Sequence, residues 1–222
     1  MSVRQDSKDI LFLAETLATR LCHDLSGQVN AIAGAAEELR DSPAPDRDAI
    51  DLANDAAEAL VARLRLARAA WGRLGGPMGV DEWRALVTIM PRRGVTLDLD
   101  GIPGDGFFAP AAARLALNVL LLATEALPAG GVVEVAGHPD QDILVRIHGP
   151  RAAWPTGLAG MIADPAAAID VLRRADGVAA ARTMQAPLTV LIAHASGQRI
   201  SLLMGAQTEA APPLLVAFAS LH

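Results

Sequence analysis

The side chains best equipped for chemistry lie in one short run, Arg20-Leu21-Cys22-His23-Asp24-Leu25. An imidazole serves as nucleophile, base or acid near neutral pH, and a neighbouring carboxylate adjusts its charge. Leu17, Leu21 and Leu25 recur every four residues, the spacing of an apolar helical stripe. His23 stands two residues from Leu21 and from Leu25, about 200° away at 100° per residue, so it faces away from the stripe toward solvent. Exposed histidines with acidic neighbours are common and mostly without function, so the surroundings must decide. Cys22 is no partner for it, since consecutive helical side chains diverge by about 100°; it reads as a small packing residue. His138, His148, His194 and His222 show no metal-ligand spacing.

The element carrying His23 reads as a long helix. Ser7 can cap it, Asp9 suits its positive end, and no proline interrupts the chain before Leu39-Arg40. About 33 residues make a rod of roughly 50 Å. The two prolines of Asp41-Ser42-Pro43-Ala44-Pro45 stop it. A second helix is expected from Asp46 to Leu74, its apolar positions Ile50, Ala53, Ala57, Leu60, Leu64, Ala67, Trp71 and Leu74 alternating steps of three and four. That pattern is a heptad seam. Two helices bury one side of each other, so a hairpin of this length needs a further surface. A second copy, completing an antiparallel four-helix bundle, is favoured over cover from the rest of the chain because of the length of the seam.

Gly27, Ala31 and Gly34 follow His23 at four, eight and eleven residues, a lane of small side chains beside the imidazole. Each glycine costs about 1 kcal/mol relative to alanine inside a helix. Close helix packing and space cleared for an approaching partner both explain the lane.

Gly75-Gly76-Pro77-Met78-Gly79 reads as a linker, dividing the chain into residues 1–77 and 78–222. Beyond it come a short helix from Asp81 to Met90, a strand at Val95–Leu99, and a long buried helix from Pro110 to Leu127. Gly130-Gly131 then turns into paired strands at Val132–Val135 and Asp142–Ile147. Loop and helix signals fill 150–195, and Arg199–Met204 with Leu214–Phe218 make a last hairpin. This order predicts helices on one face of a mixed sheet, an α+β sandwich.

The composition narrows the function classes. A net charge of −6 leaves no electrostatic footprint for nucleic acid or an anionic membrane. Leu115–Leu127, the most apolar stretch, is broken by Asn118 and Glu125 and is too short to span a bilayer. The N-terminus is too polar for a signal peptide, and the single cysteine fits a reducing compartment, so a cytoplasmic protein is expected.

A histidine-bearing hairpin, a glycine-proline linker and an α/β sandwich together resemble a sensor histidine kinase core. His23-Asp24-Leu25 resembles the start of the kinase phosphoacceptor box, and Arg114–Ala123 the helix carrying its asparagine box. The nucleotide positions differ, however. Aligning Asn118 with the first box asparagine puts Leu122 at the second, where a leucine offers no oxygen to a hard cation. Ile147 stands in place of the adenine-reading carboxylate, Arg151 in place of a glycine of the same element, and Gln185-Ala186-Pro187-Leu188 where a glycine-rich lid would be.

A kinase-like architecture with a degenerate Bergerat-type ATP-binding domain resembles the ChpT-type histidine phosphotransferases of alphaproteobacteria over nearly the whole chain. The segments carrying this resemblance are Arg20–Leu25, the helix of Asn118 running through Glu125-Ala126-Leu127-Pro128 into Gly130-Gly131, and Gln185–Thr189. It implies a homodimer that moves a phosphoryl group between receiver-domain aspartates through His23, a hybrid kinase receiver donating and response regulators accepting. Asp24 would orient the imidazole, and Arg20, Gly27, Asn30 and Ala31 would face the receiver. Arg20 reads equally well as a solvated surface arginine. No cofactor or metal would be held by this chain, magnesium coming with the receiver. The family tends to have Ser-Pro after the His-Asp-Leu, where Gly27-Gln28 stands here, and Gly27 has no side chain to position a hydrolytic water. Two other classes stay open: an active histidine kinase, and a non-catalytic dimeric adaptor.

Overall fold

A computed structural model describes residues 3–41, 47–90, 94–174, 177–204 and 211–218. The chain divides into two compact units, Met1–Arg68 and Ala69–His222. This division falls before the expected Gly75-Gly76-Pro77 boundary, because the last turn of the second helix is bonded into the second unit. Asn118 Nδ2 donates to the Ala70 carbonyl at 2.7 Å, and Trp71 Nε1 donates to Asn118 Oδ1 at 3.2 Å.

The first unit holds α1 (Val3–Asp41) and most of α2 (Arg47–Trp71). Helix α1 begins before the expected cap at Ser7, and at 39 residues it is about 58 Å long. The proline turn at 42–45 lies outside the described residues. Gln28 and Arg63, each about four turns from the ends that the turn joins, are linked side chain to side chain, which makes the helices antiparallel. The packing face of α2 differs from the expected seam. Ala49, Ala56, Leu66, Ala69 and Ala70 are buried, whereas Ile50, Ala57 and Leu64 of the seam are exposed. Leu74 lies beyond the helix end. The alternation of threes and fours is present, but the buried stripe runs one position earlier along much of it.

The second unit is built on a five-stranded mixed sheet of β2 (Val95–Gly101), β4 (Gly131–His138), β5 (Asp142–His148), β6 (Arg199–Leu202) and β7 (Leu214–Ala217), in the order β2-β4-β5-β7-β6. The β2–β4 pair is parallel and the others are antiparallel. The strands alternate as half-buried strands must. Val133, Val135, Ile143, Val145, Ile147, Leu214 and Val216 point into the core, and Thr96, Val132, His148, Arg199 and Ser201 face out. The covering layer contains α4 (Pro110–Glu125), α5 (Leu158–Ala163), α6 (Pro165–Arg174) and α8 (Gln185–Ala195), with α7 (Gly177–Thr183) against the last two. A short pair, β1 (Met78–Gly79) with β3 (Phe107–Phe108), brackets α3 (Val80–Val87) and was not legible as strand. Trp83, Phe108 and Phe218 make one aromatic cluster, with ring centroids 5.0 and 5.9 Å apart.

Gly130-Gly131 has a geometric necessity. Gly131 has φ +144°, and a Cβ there would lie 2.1 Å from the His148 carbonyl oxygen. Only glycine lets the α4–β4 turn deliver β4 so close to β5. Among the described residues, no helix is long and apolar enough to cross a membrane.

Candidate functional site

His23 stands on the middle of α1, its side chain 54% exposed. The Leu17, Leu21 and Leu25 side chains are partly covered on the other face. Its Nδ1 lies 3.2 Å from Asp24 Oδ1. A ring carrying its proton on Nδ1 donates to that oxygen and keeps its lone pair on Nε2. The other oxygen of Asp24, Oδ2, accepts from Arg20 Nε at 2.6 Å. The three residues form a chain in which Asp24 bridges a cation and an imidazole.

Arg20 is placed differently from the expectation that it faces a partner or solvent. It is 7% exposed, turned into the protein and onto Asp24. Gly27 and Asn30 are exposed and Ala31 is half-buried. A Cβ built on Gly27 or Gly34 meets nothing within 4 Å, so tight packing inside this chain does not account for the lane of small residues. Gln28, noted from the sequence only as a departure from the family's Ser-Pro, fastens α1 beside the site. Its Nε2 donates to the Asp24 carbonyl at 3.2 Å and its Oε1 accepts from Arg63 Nε on α2 at 3.1 Å. A glutamine one turn after a candidate acid is the only signal that could have found it. Cys22 is exposed and unpaired.

The kinase-like positions lie in the second unit. Leu122 and Ile147 are buried in the core and Arg151 is exposed. Asn118 is fully buried and saturated. Besides its contacts to Ala70 and Trp71, its Nδ2 donates to the Arg114 carbonyl, and its Oδ1 accepts from Gln185 Nε2 at 3.1 Å. Gln185 Nε2 and Thr189 Oγ1 both donate to the Asn118 carbonyl. Gln185–Leu188 is therefore the first turn of α8 rather than a lid loop, Pro187 being tolerated where helical N–H groups have no partner. Their spacing of four in an otherwise apolar helix was the available sign of this network.

His138 pairs with Asp140, and His148 Nε2 lies 3.3 Å from Glu134 Oε2, both at the surface. His194 is exposed on α8, and His222 lies outside the described residues. Among the described residues, no three His, Cys, Asp or Glu side chains are grouped to hold a metal ion.

Comparison with known proteins gives this geometry its context. The chain is 28% identical over 217 residues to the protein phosphotransferase ChpT of Brucella abortus (strain 2308), covering 86% of this chain and 90% of that protein. Its fold is that of a solved bacterial phosphotransferase, with a TM-score of 0.67 at 23% identity over 93% of this chain and 95% of the other. Residues 80–208 match the family model of the histidine phosphotransferase C-terminal domain. Because that match spans more than half of the chain, the protein belongs to the histidine phosphotransferase family.

Proposed function

We propose that His23 is the phosphoryl-carrying residue of this phosphotransferase, taking the group from an aspartyl phosphate on one cytoplasmic receiver domain and passing it to an aspartate on another. The observation that carries this reading is the half-exposed imidazole whose Nδ1 lies against Asp24, the arrangement in which Nε2 is the nitrogen left for attack. In the first transfer the Nε2 lone pair attacks phosphorus. The bond from phosphorus to the receiver's carboxylate oxygen breaks, its electron pair leaving with that carboxylate. The ring keeps its Nδ1 proton and becomes cationic, and the Asp24 carboxylate stabilises that charge. The second transfer reverses these steps onto a new aspartate. Magnesium belongs to the receiver's own phosphorylation site, and this chain orients the nucleophile.

The open surface at Gly27, next to Asn30 and Ala31, supports docking of the receiver alongside α1. A homodimeric four-helix bundle is supported by a stripe of exposed apolar residues. Leu11, Ala18, Cys22, Val29 and Ala36 share one phase of α1, and Ile50, Ala57, Val61 and Leu64 one phase of α2, each set within about 60°. A kinase-like second domain that has lost nucleotide use is supported by the buried Leu122 and Ile147 and by the saturated amide of Asn118.

The test is incubation with a panel of receiver domains phosphorylated on their aspartates with labelled acetyl phosphate. Wild type takes up label from at least one receiver and His23→Ala from none. Equal labelling of the two proteins overturns the reading.

A further inference from the structure

We infer that Arg20 is a positioning residue for phosphoryl transfer, acting through Asp24 to set which nitrogen of His23 is nucleophilic. The inference rests on the proposed role of His23 and extends it to the residue behind the acid. Three observations carry it. Arg20 is nine-tenths buried although it sits on the same helix as an exposed histidine. Its Nε holds Asp24 Oδ2 at 2.6 Å, which leaves Oδ1 toward His23 Nδ1 at 3.2 Å. A carboxylate gripped by one oxygen cannot turn about its axis without giving up either the guanidinium or the imidazole. The pair also runs basic-then-acidic along the helix, the less stabilising order for residues four apart. Helix stability alone therefore does not call for it.

The consequence is chemical. Free neutral histidine exchanges its proton between the two nitrogens, and an Nε2–H ring has no lone pair at Nε2 to offer phosphorus. With Asp24 held by Arg20, the proton stays on Nδ1 and the product is phosphorylated at Nε2. Without Arg20, Asp24 is free to rotate to solvent and part of the population reverts to the Nε2–H form. A partner that holds the orienter of a histidine acts at one remove, where losses are typically about 10-fold.

The experiment uses the full-length chain and potassium phosphoramidate, which phosphorylates imidazole nitrogen with loss of ammonia and needs no receiver. Nitrogen-15 spectra of the His23 ring in mildly alkaline buffer read the tautomer directly. Wild type should be predominantly Nδ1–H and should label at Nε2. Arg20→Met should shift the ring toward Nε2–H and slow labelling about 10-fold. In an Asp24→Asn background, Arg20→Met should cost less than about 2-fold more, since both changes break the same chain of contacts. A wild-type ring found mainly as Nε2–H overturns the inference without any variant. So does an Arg20→Met protein that is slowed with an unchanged tautomer, or losses that multiply in the double variant. Failure of the reading behind it looks different: His23→Ala would then accept label as well as wild type.

Discussion

Replacing Asn118 with leucine should destabilise the second unit by about 3 kcal/mol. The two side chains share one branched shape of four heavy atoms and leucine is the bulkier, so no cavity opens and the cost counted is that of the lost hydrogen bonds. Asn118 is fully buried and serves four partners: the carbonyls of Ala70 and Arg114 through Nδ2, and Trp71 Nε1 and Gln185 Nε2 through Oδ1. Two of these survive its loss. The Arg114 carbonyl keeps its place in the α4 ladder, and Gln185 Nε2 still donates to the Asn118 carbonyl and to Thr189 Oγ1. The Ala70 carbonyl, in the last turn of α2, loses its side-chain donor at a cost of about 2 kcal/mol, and the half-buried Trp71 indole, which can turn to water, adds about 1 kcal/mol. All three tryptophans, Trp71, Trp83 and Trp154, lie in Ala69–His222, so urea unfolding followed by tryptophan fluorescence reports this unit. For a chain of this size the same change should lower Tm by roughly 6–12 °C. A loss below about 1 kcal/mol refutes the argument that this asparagine has become a structural clamp.

Three further outcomes are expected. Asp24→Asn offers an amide where Nδ1 needs an acceptor, and should slow labelling of His23 by phosphorylated receivers about 100-fold or more, measured as initial rates. A Cβ at Gly27 meets nothing within 4 Å, and Gly27→Leu gains up to about 1 kcal/mol in helix propensity. Its thermal stability and sedimentation should therefore match or exceed wild type while transfer from receivers falls at least about 10-fold and labelling by phosphoramidate is retained. Val61 and Leu64 are 48% and 44% exposed, and burying the remainder contributes about 1 kcal/mol each per protomer. Val61→Glu should consequently move the sedimentation equilibrium to monomer, and a wild type that sediments as a monomer would sink the bundle.

The elements that were legible are those with a strong local period. The α4 helix, the Gly130-Gly131 turn and the alternating strands β4, β5 and β7 all stand where their patterns put them, because alternation and glycine geometry are decided within a few residues. What escaped depends on distant partners. Two-residue strands at Met78–Gly79 and Phe107–Phe108 exist only because each pairs with the other. The domain boundary shifted for the same reason: Gly75-Gly76-Pro77 looks like a break, yet the turn of helix before it is bonded to Asn118 from far along the chain. The heptad of α2 was readable, but one apolar pattern contained both a buried stripe and an exposed one. Periodicity alone does not say which of two adjacent stripes packs inside the chain.

The site divides along the same line. His23 could be placed from the sequence because its exposure follows from angular phase on a single helix. The Arg20–Asp24 pair has a spacing of four that any helix brings together, so its existence was legible as well. Its meaning was not. An arginine at the surface beside an aspartate is a solvated ion pair of little consequence, whereas one that is 7% exposed holds the carboxylate in a single orientation. Burial is a property of what covers α1, and nothing within the run from Arg20 to Leu25 encodes it. Sequence therefore locates the candidate nucleophile His23, and tertiary cover fixes the Arg20–Asp24 contact beside it.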